Sequence, residues 1–262
     1  MSDDEPLLIR RSGAVTRATL NRPHRRNAMS EALVAALDDL LAQLRQDNTT
    51  RVLVIAGAGG HFCAGLDLAE VAEPLDPAQK LAQQQDRNRR TGARFQAIAD
   101  LPQVVIAAVE GSAFAGGLGF VCAADIALAS PTARFSAPET RRGLVPAQIL
   151  PWLARRAGRS AAARLCLGGN VIGAEEAARI GLVHAVADDL DAAVAAAVAD
   201  ILEGAPGALA ETKGLIAALG ATVPPGYAEA GAAAFARQAA GPEAEEGIAS
   251  FRAKRAPSWS PR

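Results

Sequence analysis

Apolar and polar residues change their spacing several times along this chain, and each change marks an element. Leu7-Leu8-Ile9 and the alternating run Ala14 to Leu20 flank Ser12-Gly13, which predicts an opening β-hairpin. Ser30 stands as an N-cap ahead of Leu33, Val34, Leu37, Leu40, Leu41 and Leu44. Their three- and four-residue spacing predicts a buried helix stripe, with Glu31, Asp38, Asp39 and Arg45 off it. Arg51 to Ala56 is a short apolar run ended by Gly57 and reads as a buried strand.

The pattern repeats with a polar helical segment from Pro77 to Asp100, a strand from Val104 to Val109, a glycine-rich stretch and a strand from Asp125 to Ala129. Apolar strands alternating with helical segments predict parallel crossovers and an α/β class. From Pro146 onward Ala-rich helical stretches dominate, including Asp191 to Leu202 and Gly226 to Ala240. The expected division is a catalytic core over residues 1–200 and a helical portion over 201–262. The Arg/Gln-rich run from Gln79 to Arg94 reads as a solvated helix face.

Composition narrows the chemistry. The 262 residues carry 27 Lys+Arg against 28 Asp+Glu, so no basic excess draws nucleic acid or an anionic membrane. Cys63, Cys122 and Cys166 stand far apart without a C-x-x-C pair, which assembles neither a disulfide framework nor a zinc knuckle and fits a reducing, cytoplasmic compartment. The stretches free of charged residues are shorter than the ~18 apolar residues of a membrane span, and the acidic start Ser2-Asp3-Asp4-Glu5 is unlike a signal peptide. No metal ligand set is expected, and no Gly-x-Ser-x-Gly elbow points to a serine hydrolase.

Two stretches bring glycines to the end of a strand: Gly57 to Leu68 after Ile55-Ala56, and Glu110 to Gly119 after Val109. Neither is a P-loop or a dinucleotide fingerprint. Such turns expose backbone N–H groups at a helix start, where two of them can converge on one anionic oxygen. Equally, glycines there make turns and permit close packing.

The motifs in and around these turns resemble the crotonase superfamily, the enoyl-CoA hydratase/isomerase proteins. The matching blocks are Asn21-Arg22-Pro23 with Asn27-Ala28, Phe62 to Leu68, Val105 to Gly111 with Gly116-Gly117, Cys122 to Ile126, Phe135 to Glu139, and Gly173 to Ala177 with Gly181-Leu182-Val183; Glu246-Gly247 before Phe251 resembles the last helix. The resemblance implies a spiral of ββα units with C-terminal helices that build a homotrimer, often paired into a hexamer, and an acyl-CoA thioester substrate. CoA then belongs to the substrate, with no separate cofactor.

By position, the resemblance makes the N–H groups of Leu66 and Gly116 the oxyanion hole and Glu139 the acid/base. Arg22, His24, Arg25 and Arg26 fall near the nucleotide end of CoA, Ala64, Asp67 and Leu68 along its bend, and Phe251 and Lys254 where the last helix offers an aromatic and a basic residue. A two-Glu hydratase carries its other carboxylate where this chain has Gly119, so gain of straight-chain hydratase activity in Gly119→Glu would show that the missing carboxylate is what limits it. Arg141, Arg142 and Gln148 are candidates for pairing with a distal acyl carboxylate, in a run that looks like the bacterial branched glutaconyl-CoA hydratases. The expected function is addition of water to an α,β-unsaturated acyl-CoA; the alternatives are double-bond isomerisation by the single Glu139, or a non-catalytic CoA- or RNA-binding member.

Overall fold

The computed structural model describes residues 5–67, 69–70, 76–218 and 226–255. Strands β1 (Leu7–Ser12) and β2 (Val15–Leu20) form the predicted hairpin around Gly13, whose φ of +55° suits a residue without Cβ. From β2 the sheet continues in parallel through β3 (Val52–Gly57) and β4 (Val104–Val109). Behind β4 and the short strand β5 (Ser112–Phe114), it is completed by β6 (Ile126–Ala129) on β4. A second sheet pairs β5 with β7 (Arg134–Ser136) and β8 (Ile172–Gly173), while β9 (Ala185–Val186) extends the first sheet beside β6. Both faces of β3 and β4 are covered, which is why Val52 to Ala56 and Val105 to Val109 read as unbroken apolar runs.

Helix α1 (Glu31–Gln46) begins where Ser30 Oγ accepts the Leu33 N–H at 3.2 Å, and it buries Leu33, Leu37, Leu40, Leu41 and Leu44 as the spacing predicts. Helix α2 (Pro77–Ala99) presents most of the Gln79–Arg94 run to solvent, as read, but not all of it. Arg94 is buried and holds Asp38 of α1 through two bonds of 2.6 Å, while Gln84, Phe95 and Ile98 are buried on the same side. Helices α3 (Gly116–Ala123), α4 (Leu150–Gly168) and α5 (Ala174–Arg179) complete this side of the core.

On the opposite face α6 (Leu190–Glu203) packs Val194 against Val52, Val54, Ile106 and Leu128. Helix α7 (Pro206–Ala218) is tied to the sheet by Lys213, whose Nζ donates to Asp125 Oδ2 at 2.7 Å and to Gln103 O at 2.9 Å. Residue 200 falls inside α6. Beyond it α8 (Tyr227–Ala239) lies along α2, and α9 (Pro242–Arg252) rests on the turn at residues 139–143. No single helix among the described residues is long and apolar enough to cross a membrane.

Candidate active site

Adjacent parallel strands β3 and β4 each end in one of the glycine turns, and a few backbone bonds lock the two together. After β3, Phe62-Cys63-Ala64 runs beside β5, with the Cys63 N–H donating to Ser112 O at 2.8 Å and the Phe114 N–H to Cys63 O at 2.9 Å. Asn27, fully buried, braces the start of that turn: its Nδ2 donates to Ala58 O and His61 O, and its Oδ1 accepts the Arg22 N–H. The next residues cross to Met29, whose N–H donates to Gly65 O and whose carbonyl accepts the Asp67 N–H.

Those bonds leave the Leu66 N–H, between Gly65 and Asp67, without an acceptor among the described residues, and the Gly116 N–H at the first turn of α3 is equally open. The two are neighbours. Gly65, at φ +93°, approaches so closely that a Cβ on it would lie 2.7 Å from Ala115 Cβ and 3.5 Å from Gly116 N. Ala115 itself is held at φ +50°, ψ −124°, a conformation costing a non-glycine residue about 1–3 kcal/mol and found where a site over-determines its backbone.

Gly117 is the joint. A Cβ there would run into the Cys63 carbonyl and lie 2.8 Å from Cys63 Cβ. Because backbone has no rotamer to escape into, Gly117→Ala is expected to push the two turns apart. It should lower stability by about 1–3 kcal/mol and turnover by about a hundredfold or more, read by thermal melts and steady-state kinetics; wild-type kinetics in the variant would show that this contact does not set the hole.

Leu66 and Gly116 both line a cavity of about 390 Å³ between the strand ends, α2, α8 and α9. Glu139 enters it from the turn after β7. It is only 8% exposed, its Oε2 has no partner, and burial pushes its carboxyl up to about 7, against the opposing pull of its own backbone N–H and of Arg142. A carboxyl poised near neutrality in one cavity with two unpaired N–H donors can take and return a proton while a neighbouring oxygen becomes negative. Gln148 faces the same space from the loop before α4, with Nε2 donating to Asn88 Oδ1 at 3.0 Å and to Ala228 O at 3.3 Å.

At the other end of the cavity Arg25, Ala64 and Asp67 line the wall. Arg22 is fully occupied there, bonding Ala28 O at 2.6 Å and Asp67 Oδ2 at 2.9 Å. Burial works to raise the Asp67 carboxyl, and the Arg22 bond, the Ala69 N–H and nearby Arg25 overcome it to hold the group below its ordinary range. Phe251 lines the cavity from α9. Arg26 and Lys254 are exposed and form no part of the wall; the chain turns left-handed at each, with φ of +50° and +52°. Leu68 lies outside the described residues. Arg141 also points away, its Nε donating to Gly168 O at 2.8 Å on the surface.

Position 119 is occupied in an unforeseen way. A Cβ on Gly119 would collide with the Cζ tip of the Phe95 ring, which is fully buried and packed edge-on against Phe120 at 5.6 Å. The space beside the missing carboxylate is filled by an aromatic ring from α2, so a Glu cannot simply be restored there.

The remaining candidates are structural. All three cysteines are buried and desolvation pushes each thiol up to about 12, far from a nucleophilic thiolate. His61 and His184 accept the N–H groups of Ser112 and Ala127, and no metal-holding cluster occurs among the described residues. Sequence reasoning missed Asn88, Thr91 and Phe95. Their signal was the spacing 84, 88, 91, 95, 98 along α2, hidden by the charged residues between.

The sequence profile described as enoyl-CoA hydratase/isomerase matches residues 10–262. The chain belongs to the enoyl-CoA hydratase/isomerase family. Within this crotonase superfamily it is similar to the crystal structure of an enoyl-CoA hydratase from Mycobacterium avium, at 38% identity and a TM-score of 0.87, with 98% of this chain and 100% of the other covered. Pseudomonas aeruginosa AtuE is also 38% identical, with a TM-score of 0.76 and the same coverage. Among curated relatives, the 1,2-epoxyphenylacetyl-CoA isomerase of Escherichia coli is 38% identical over 173 residues, a segment spanning 65% of either chain. The family's α/β fold of parallel strands and covering helices is therefore the fold observed, and the chain is a hydratase/isomerase-type enzyme.

Proposed function

We propose that the protein hydrates an α,β-unsaturated acyl-CoA. The observation that carries this reading is the buried carboxyl of Glu139 sharing one cavity with the open N–H groups of Leu66 and Gly116. Ionised Glu139 takes a proton from water as the water oxygen bonds to C3 of the enoyl chain. The C2–C3 π electrons then move toward the thioester, whose oxygen becomes an enolate held by the two N–H groups. Glu139 returns its proton to C2 and the carbonyl re-forms. Each donor in such a hole is worth about 2.7–4 kcal/mol of barrier.

Water needs a second polar partner, and the Asn88–Gln148 amide pair in the cavity wall supplies one that carries no charge. Arg25 at the open end suits a CoA phosphate.

One observation favours a second reading, double-bond isomerisation: a single carboxyl suffices to move a proton between two carbons, and position 119 offers no other. Incubation with 2-enoyl-CoA and 3-enoyl-CoA thioesters separates the two. Gain of one water on the 2-enoyl substrate is the expected result. Conversion of the 3-enoyl thioester without change of mass, and no hydration, would replace hydratase by isomerase.

A further inference from the structure

Beside Glu139 the cavity wall carries a cation, Arg142, that feels the Glu139 carboxyl but is held by no direct salt bridge among the described residues. Arg142 lines the wall, half-buried, and among the described residues it makes no ion pair. Its only hydrogen bond is a long one, from Nη1 to Pro138 O at 3.5 Å; its Nε is buried with no partner, and its remaining donors have no acceptor. Of the other arginines about this cavity, Arg87 is paired with Glu31 and Arg22 with Asp67, while Arg25 stands at the open end, away from Glu139. The buried Nε has lost its solvation without recovering a partner, and the Nη2 group, which is not buried, stays open to whatever oxygen enters the cavity.

The group is also held in place. Gly143, at φ +67°, and Gly247 lack the Cβ that would collide with backbone across the contact between α9 and the 139–143 turn, so the two backbones meet directly on either side of Arg142. The guanidinium carbon then lies 4.4 Å from the centre of the Phe251 ring, which forms part of the same wall. Stacking fixes the plane of the fork and leaves its edge to accept a planar anion.

We infer that Arg142 is a specificity residue for an acyl-CoA whose acyl chain bears its own carboxylate. Arg142 lies one 3-10 turn from Glu139, so such a carboxylate meets it close to the reacting carbons; the CoA phosphates have Arg25 at the open end of the cavity. This inference rests on the acyl-CoA reading of the site and is independent of whether the reaction is hydration or isomerisation.

The test is therefore a binding measurement with unreactive thioesters. Glutaryl-CoA and pentanoyl-CoA, equal in length and differing in the terminal carboxylate, are titrated calorimetrically into the intact protein. Wild type should bind glutaryl-CoA about ten- to a hundredfold more tightly. That ratio should fall to about one in Arg142→Met and be partly restored in Arg142→Lys, which keeps the charge without the fork. Three results overturn the inference: no preference in wild type, a preference that survives Arg142→Met, or an equal loss on both thioesters, which would assign Arg142 to CoA or to folding. Failure of the acyl-CoA reading itself shows separately, as absence of binding to either thioester by wild type.

Discussion

Glu139→Gln should lower turnover by about 10²–10⁴-fold while leaving the affinity for a saturated acyl-CoA close to wild type. The amide keeps the shape of the side chain and removes its capacity to take a proton. Pre-steady-state and steady-state assays on the same enoyl thioester check the first half and calorimetry the second; undiminished turnover would remove Glu139 from the mechanism.

The same substitution changes stability in a direction fixed by the environment. Burial raises the folded-state pKa of Glu139 from the ordinary 4.5 to about 7. A raised pKa means the folded protein favours the neutral form, so the stability contribution is complete below about 4.5 and is lost as pH rises through about 7. At 1.36 kcal/mol per unit, the loss approaches about 3 kcal/mol. Wild type should therefore melt progressively lower as pH is raised from 5 to 8, and Glu139→Gln should lack that part of the decline. Parallel declines in the two proteins would mean that the carboxyl is solvated in the folded state.

Gly119→Glu is expected to destabilise the protein and to gain no hydratase activity. The first added carbon already collides with the tip of the Phe95 ring, and overpacking of this kind costs typically 1–3 kcal/mol before a carboxylate is buried. The ring has no room to retreat, being fully buried and packed on Phe120. Trimming it alone costs about 3–5 kcal/mol. The double variant Phe95→Ala/Gly119→Glu should consequently be more stable than the sum of the two single losses, a coupling readable by denaturant melts. A Gly119→Glu protein with the wild-type melting point and new straight-chain activity would show that the ring yields and that the missing carboxylate was the limiting group.

Long elements were legible in the sequence because a repeating pattern needs length. The α1 stripe of five buried leucines and the apolar runs of β3 and β4 carry enough turns or residues to show their period. β5, β7 and β8 have three residues or fewer, too short for a period; they exist because Cys63, Ser112 and Phe135 find partners far along the chain. In the site, Leu66, Gly116 and Glu139 were found through the resemblance of their blocks to the family, since backbone donors leave no trace in side-chain pattern. The Phe95–Gly119 pair was illegible for a different reason: a glycine says that space is needed, and only the fold says what fills it.

The docking of α9 on the 139–143 turn also orders events in time. Glu139 is synthesised more than a hundred residues before Phe251, which at 5–20 residues per second is a delay on the order of ten seconds. During that interval the wall that α9 supplies, including the Phe251 ring on which Arg142 stacks, has not yet been made. A cavity closed by all of its walls is thus available only once translation has passed α9.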